Sequence, residues 1–189
     1  MSHATTYVGL DVHKRDIAVA MLVPGSSQVV EWTIGNEPRA VRRLARKLER
    51  ESSGGIECAY EAGACGYTLQ RQLGAEGISC RVVAPSLIPK KPGQQIKTDR
   101  RDARKLAELL RAGLLTEVHP PTPEEESVRD LCRCRLDAQA DLTRARQRLA
   151  HLLLRRGRIY TEGRQWTVQH RVWLRTLSFD QPAEKAAFA

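Results

Sequence analysis

Residues 7–12 read Tyr-Val-Gly-Leu-Asp-Val, a short apolar run with an aspartate near its end, and the fold prediction starts from this stretch. Two further runs, at 16–23 and 28–34, follow after short connections. Both are rich in the β-branched, aromatic and other apolar residues that suit a pleated sheet. Three consecutive strands joined by short turns predict an antiparallel meander.

Beyond the meander, the apolar pattern alternates between the period of a helix and that of a strand. The predicted elements, in order, are a helix at 38–51, a strand at 56–61, a short helix at 67–73, a strand at 79–84 and a helix at 99–112. Strands and helices that alternate after a meander predict an α/β fold with a mixed sheet and flanking helices. The proline-rich segment 85–97 is predicted to be an exposed basic loop.

A long helix is predicted from Thr122 to about Arg158. Residues 122–125, Thr-Pro-Glu-Glu, combine an N-cap, a proline at the first helical position and a capping-box glutamate. Heptad spacing then continues for about four repeats. The a positions are Val128, Arg135, Leu142 and Leu149, and the d positions are Leu131, Ala138, Ala145 and Leu152. The pattern fits a coiled coil with a second copy, and it equally fits a helix packed on its own domain.

The composition points to a polyanionic partner. The chain has 189 residues and a formal net charge of +9, which allows one compact domain with an appendage. Segment 133–175 holds eleven arginines, no lysine and three acidic residues, so most of the excess charge lies there. Net charge alone does not separate nucleic acid from an anionic membrane surface.

Other features exclude several classes. The amino terminus has no basic segment followed by an apolar one, and no run approaches the roughly 18 apolar residues of a membrane span. We therefore expect a cytoplasmic protein with no membrane partner. The five cysteines are an odd number at irregular spacing, which argues against a disulfide framework. Cys132 and Cys134 have no second Cys or His pair at zinc-finger spacing.

Four acidic residues lie at positions where burying a carboxylate is unfavourable unless it has a functional role. Asp11 and Glu61 end predicted strands, and Asp99 and Asp102 are three apart on one helix face. If the first and fourth strands are neighbours, the four carboxylates converge and need cations to offset their repulsion. Mg²⁺ or Mn²⁺ suits such ligands, and two ions would form a phosphodiester site. Taken singly, each residue also fits a turn, a solvated loop or a helix amino terminus.

Three motifs resemble a known family. Gly-Leu-Asp-Val-His-Lys at 9–14, Tyr-Glu-Ala-Gly at 60–63 and Lys-Thr-Asp-Arg-Arg-Asp-Ala at 97–103 resemble the amino-terminal domain of DEDD-type insertion-sequence transposases, the bridge-RNA-guided recombinase class. Segment 166–174 is similar to a later part of the same family, so the resemblance covers essentially the whole chain. It implies a RuvC-like RNase H fold in which the four carboxylate roles fall on Asp11, Glu61, Asp99 and Asp102.

The resemblance also implies an organisation and partners. Residues 1–118 would form the metal-binding domain, 119–160 the long helix, and 161–189 a linker toward a carboxy-terminal domain with a catalytic serine. We expect the sequence to be a piece of such a protein or a truncated reading frame, and no serine in it matches that role. The implied partners are DNA, a structured guide RNA and a second copy through the long helix, acting at a prokaryotic nucleoid.

Two groups of basic residues are candidate nucleic-acid contacts. Near the predicted metal site they are Lys90, Lys91, Lys97, Arg100 and Arg101. On the long helix they are Arg144, Arg148 and Arg155, with Tyr160, Trp166 and Trp173 beyond them as stacking surfaces. The alternatives are a solvated loop, a soluble helix face and aromatic residues that belong to a core.

Two other functions use the same features. A stand-alone RuvC-like, structure-selective endonuclease would need the same carboxylates and no second domain. A noncatalytic module that binds nucleic acid would use the long helix to oligomerise and leave the acidic residues inert. Metal-dependent cleavage by this chain alone would favour the first, and the absence of any metal effect would favour the second.

Overall fold

The first three strands form the predicted meander. In the computed structural model, which describes residues 4–25, 28–89 and 98–188, β1 (Thr6–Val12) pairs antiparallel with β2 (Asp16–Leu22). Strand β2 in turn pairs antiparallel with β3 (Val29–Gly35). The chain divides into two compact units, Met1–Pro120 and Pro121–Ala189.

Two more strands extend the sheet on the other side of β1. Strand β4 (Ile56–Glu61) pairs parallel with β1, and β5 (Ser79–Val83) pairs parallel with β4. The order across the sheet is β3-β2-β1-β4-β5. This mixed sheet with flanking helices confirms the predicted α/β fold class, with an antiparallel meander followed by two parallel strands.

Helices cover both faces of the sheet because its strands are apolar on both sides. Helices α1 (Pro38–Glu51) and α2 (Thr68–Ala75) bury their apolar residues with Leu10 and Tyr60. Helix α3 (Asp99–Arg111) buries Leu106 and Leu110 on the opposite face. The result is a three-layer unit with β1 at the centre of the sheet.

The predicted exposed loop after β5 is only partly exposed. A 3₁₀ turn occupies Pro85–Leu87, and Ile88 is buried in the cluster that α3 covers. The prediction of full exposure was wrong at Ile88, because an apolar side chain next to a sheet face is driven into the nearest available core. Residues 90–97, which include Lys90, Lys91 and Lys97, lie outside the described part of the chain.

The second unit is helical. Helix α4 (Pro123–Arg155) begins with the predicted capping box: Thr122 Oγ1 accepts from the Glu125 amide, and Glu125 Oε2 accepts from the Thr122 amide. Segment 161–189, expected as a linker, contains α5 (Val168–Thr176) and α6 (Pro182–Phe188). In the described ranges no helix has both the length and the apolar character that crossing a membrane requires.

Candidate metal centre

The site is built on the contact between β1 and α3. Gly9 lies under α3, and a Cβ at this position would come within 1.9 Å of the Ala103 carbonyl oxygen and 2.6 Å of the Ala107 nitrogen. Both alanines are fully buried. A residue without a side chain is therefore required at position 9, and the close approach brings the amino end of α3 toward the end of β1 that carries Asp11.

Strand alternation places two of the predicted acids on the α3 side of the sheet. Asp11 is two residues beyond Gly9 and therefore projects from the same face. In the parallel register Leu10 pairs with Tyr60, so Asp11 and Glu61 follow at the same level on neighbouring strands. Ala59, two residues before Glu61, packs in the cluster that α3 covers. Asp11 and Glu61 thus lie at the carboxyl ends of neighbouring strands and on the face of the sheet that α3 covers.

The other two acids lie in the first turn of α3. Thr98 is the N-cap, and its hydroxyl accepts a hydrogen bond from the Arg101 amide at 3.4 Å. Asp99 and Asp102 are three residues apart, so they share a helix face. Negative charge at this end of a helix is favoured by the helix dipole. The turn therefore tolerates two carboxylates beside Asp11.

Two short contacts in the site run through His13, just beyond β1. Its Nε2 lies 3.2 Å from Asp11 Oδ2 and 3.4 Å from Asp99 Oδ1. Asp11, His13 and Asp99 each offer one ligand atom, and these atoms all lie within 4.8 Å of one another. We name these three residues the Asp-His-Asp group. Sequence reasoning did not include His13, although its position two residues after Asp11 was a usable signal.

Three hydrogen bonds hold the hairpin turn that carries His13. The His13 amide donates to the Asp16 carbonyl at 2.9 Å, across the β1–β2 turn. Asn36, just after β3, donates from its side chain to the His13 carbonyl at 2.7 Å. The Asn36 amide also donates to the Arg15 carbonyl at 2.9 Å. The β1–β2 turn that carries the imidazole is therefore held by hydrogen bonds to the residue that follows β3.

The charges in the site are coupled. Burial raises the pKa of Asp11, and the nearby carboxylates of Asp99 and Asp102 raise it further, while His13 opposes the shift. For His13, partial burial lowers the pKa, but Asp11 and Asp99 outweigh that effect and the net shift is upward. Burial and the neighbouring carboxylates thus disfavour the charged form of Asp11, whereas the carboxylates favour the charged form of His13.

The predicted residues differ in how closely the structure associates them. Asp11 and Asp99 are joined through His13, and Asp102 is close enough to Asp11 to affect its pKa. Glu61 shares the edge and the face but is not a member of the Asp-His-Asp group. Arg100 and Arg101 are exposed in the first turn of α3, and Arg144, Arg148 and Arg155 are exposed on α4.

The donor set fits a divalent cation. Carboxylate oxygens suit Mg²⁺ and Mn²⁺, and an imidazole nitrogen is a common ligand of transition metals. Asp11 is only 22% exposed, whereas Asp99 is 65% exposed. The site is therefore anchored in the sheet on one side and open to solvent on the other.

Comparison with known proteins gives consistent findings. The sequence family described as Transposase matches residues 8–156. The transposase-named protein y4qE of Sinorhizobium fredii is 41% identical over 187 residues, covering 96% of this chain and 47% of that protein. The transposase for insertion sequence element IS1533 of Leptospira borgpetersenii is 39% identical over 185 residues, covering 96% and 53%.

The chain thus spans about half the length of the curated relatives it matches. Among solved structures, T. thermophilus RuvC in complex with Holliday junction substrate is similar at 12% identity and a TM-score of 0.38. That match covers 61% of this chain and 100% of the RuvC chain.

Proposed function

The chain belongs to the DEDD family of transposases, and from this premise we propose that it carries the metal-dependent site for DNA strand cleavage and exchange in transposition. The observation that carries the proposal is the Asp-His-Asp group, in which the strand end at Asp11 meets the helix start at Asp99. Acids from two separate elements are brought together there, which a solvated loop acid or a helix-capping acid does not require.

We assign the metal ligands to Asp11, Glu61, Asp99 and Asp102, and propose that together they hold two Mg²⁺ or Mn²⁺ ions. Such a pair of ions, when bound, supplies activation of the attacking oxygen and stabilisation of the leaving oxygen of a phosphodiester. The shared edge of β1 and β4 and the shared face of α3 support this assignment.

The protein's own residues would orient the site and bind the backbone of DNA. Gly9 holds α3 against β1, and His13 orients the Asp11 and Asp99 carboxylates through its two short contacts. Arg100 and Arg101 are exposed beside the acids, where they would neutralise phosphates and set the position of a strand. From the sequence alone, we also propose Lys90, Lys91 and Lys97 as phosphate contacts.

A second set of nucleic-acid contacts is proposed for the arginine-rich segment 133–175. Arg144, Arg148 and Arg155 are exposed on α4, so their guanidinium groups are accessible to phosphates. A structured guide RNA is the partner we propose for this surface, because arginine combined with aromatic side chains suits unpaired RNA. With DNA as substrate, the protein would act at the prokaryotic nucleoid.

We further propose that α4 pairs with α4 of a second copy. Its seam residues Val128, Leu131 and Leu142 are 59%, 71% and 50% exposed, which is costly for large apolar side chains. Pairing would bury them, and a recombinase with symmetric subunits can bring two DNA ends together.

Calorimetric titration with Mn²⁺ tests the metal site. Asp11→Asn should lower the affinity by at least about tenfold, because a neutral amide replaces a carboxylate that is only 22% exposed. Glu108→Gln, which removes an acid from the other end of α3, is the matched control and should bind like the wild type. Equal affinity in Asp11→Asn and the wild type would refute the site.

Cleavage assays then separate the proposed function from its alternatives. Transposition predicts that this chain binds metal and nucleic acid but does not complete strand exchange alone. Metal-dependent cutting of branched DNA by this chain alone would instead indicate a structure-selective endonuclease. Nucleic-acid binding with no metal effect would indicate a noncatalytic module.

A further inference from the structure

A cavity of about 150 Å³ lies in the second unit, where the end of α4 meets α5. Its walls come from the last turns of α4, the segment that follows, and α5. The residues that define its chemistry are Leu153, Arg158, Tyr160, Trp166, His170 and Trp173. Leu154 and Ile159 also line it and are 61% and 63% exposed, so the cavity has an apolar rim that solvent reaches.

Aromatic rings form much of the wall. Tyr160 lies 4.8 Å from His170 and 5.2 Å from Trp173, measured between ring centroids. Trp166 meets His170 edge to face at 5.1 Å. His170 and Trp173 stack on each other, with ring centroids 5.5 Å apart, so a planar guest would stack on the cavity sides of Trp166 and Trp173, both of which line the cavity.

Two polar side chains in the wall, Tyr160 and His170, differ in their hydrogen bonding. Tyr160 is nine-tenths buried, and its hydroxyl has no hydrogen-bond partner among the described residues. His170 Nδ1 accepts from the Trp166 amide at 3.0 Å, so a neutral His170 carries its proton on Nε2. Burial lowers the pKa of His170, which favours the neutral ring. A buried hydroxyl without a partner is costly unless a ligand completes it.

The Trp166 backbone is strained at the edge of the cavity. Its φ of +66° makes it the non-glycine residue with positive φ in the described chain, a conformation that costs a bulky residue energy. The hydrogen bond from the Trp166 amide to His170 Nδ1 stabilises that conformation and keeps the indole beside the cavity. Arg146 lies over the same ring, 5.2 Å from its centroid.

The volume of the cavity and the charge around it indicate which class of ligand it can bind. A cavity of about 150 Å³ accommodates a single six-membered ring such as benzene. Arg158 lines the cavity, and eleven arginines in segment 133–175 would attract a phosphate backbone past its mouth. A pyrimidine base combines a ring of this size with edge groups that accept and donate hydrogen bonds.

We propose that the cavity binds one unstacked pyrimidine base of a single-stranded nucleic acid, stacked against Trp166 and Trp173 and hydrogen-bonded by Tyr160. The inference rests on the proposed nucleic-acid binding of segment 133–175 and adds a base-binding site to it. The base can come from DNA or from RNA, since both carry the same ring chemistry. The surrounding arginines then hold the flanking phosphates without reading sequence.

The test compares short oligodeoxythymidylate with an abasic oligomer of the same length, using fluorescence anisotropy and the whole chain. The two probes carry equal backbone charge, so the cavity predicts that thymidylate binds at least about fivefold more tightly. Tyr160→Phe should weaken thymidylate binding about threefold to tenfold and leave abasic binding unchanged. Its thermal stability should equal or exceed that of the wild type, since it removes a buried hydroxyl that has no partner.

A second variant tests the cavity without changing the Tyr160 hydroxyl. Ala150→Leu adds volume at the cavity wall without changing charge, and it should remove the preference for thymidylate over the abasic probe. Oligouridylate tested in parallel identifies whether RNA or DNA is the better source of the base. Equal binding of thymidylate and the abasic probe would overturn the cavity proposal alone. Binding of neither probe would overturn it together with the proposed nucleic-acid function of this segment.

Discussion

The two units of this protein use charged residues in opposite ways. In the first unit the acids lie at the ends of packed elements, so the sheet and α3 fix where Asp11 and Asp99 meet. In the second, Leu153 is the one buried residue of α4, all of whose 33 residues are described, and the arginines are spread along exposed positions. The proposed metal site needs fixed geometry, whereas the proposed phosphate contacts need mainly charge.

This difference predicts different sensitivities to substitution. A small change at the β1–α3 contact should disrupt fold and site together, because close packing transmits even one methyl group. Single changes on exposed α4 should leave the fold intact and alter only association with a partner. Three substitution experiments test that contrast.

The largest effect is expected at Gly9. Gly9→Ala places a Cβ within 1.9 Å of the Ala103 carbonyl oxygen, so α3 must move away from β1. We expect a loss of at least about 3 kcal/mol in the free energy of unfolding, together with loss of Mn²⁺ binding. Urea denaturation and calorimetry measure the two effects.

Gly74→Ala is the matched control for that substitution. Gly74 lies in α2, and an added Cβ there meets nothing within 4 Å. This change should stabilise the protein by up to about 1 kcal/mol. If Gly9→Ala is as harmless as Gly74→Ala, the close approach of α3 does not hold the site together.

The next effect concerns association of α4. Leu131→Glu combined with Leu142→Glu puts charges at a d and an a position that are exposed in the single chain. If these positions form a dimer seam, the dimer dissociation constant should rise by at least about a hundredfold, because the charges would be buried on pairing. Light scattering over a concentration series measures it, and circular dichroism should stay unchanged.

Leu136→Glu serves as the control, since Leu136 is 61% exposed but lies outside the heptad seam. It should not change the oligomeric state. A wild-type chain that is monomeric at tens of micromolar, or equal dimerisation by all variants, would contradict pairing through this seam.

The smallest effect is expected from arginines on α4. Changing Arg144, Arg148 and Arg155 to Gln should lower nucleic-acid affinity and flatten its salt dependence by about 0.7–0.9 in log–log slope per lost phosphate contact. The same charge change at Arg39, Arg42 and Arg46 on α1 is the control and should have less effect. An equal slope change in both triple variants would mean that overall charge, and not the α4 surface, determines binding.

Much of the fold followed from local patterns. The strands, the helix from Asp99 and the capping box at Thr122 were predicted because period, turn residues and caps are properties of neighbouring residues. The acids Asp11 and Asp99 were identified for the same reason, since each occupies a recognisable element end. Burial of Ile88 was missed because it depends on a sheet face that the local sequence does not contain.

His13 shows what local patterns cannot supply. It contacts Asp99, which lies far away in the chain, only because α3 packs on β1 over Gly9. Likewise, Tyr160, Trp166 and Trp173 were recognised as aromatic residues near arginines, but their arrangement around a cavity depends on how α5 returns to the end of α4. Contacts between distant segments are decided by packing of whole elements.

The sequence by itself determined which residues carry charge, where the five strands and the helices α1 to α4 lie to within a few residues, and therefore which acids stand at element ends. Only the tertiary structure decided that β1 and β4 are parallel neighbours, and that the imidazole of His13 lies between Asp11 and Asp99. The physical reason is range: propensity and capping act within one or two turns of chain. The meeting of charges depends on the close packing of elements that are distant in sequence.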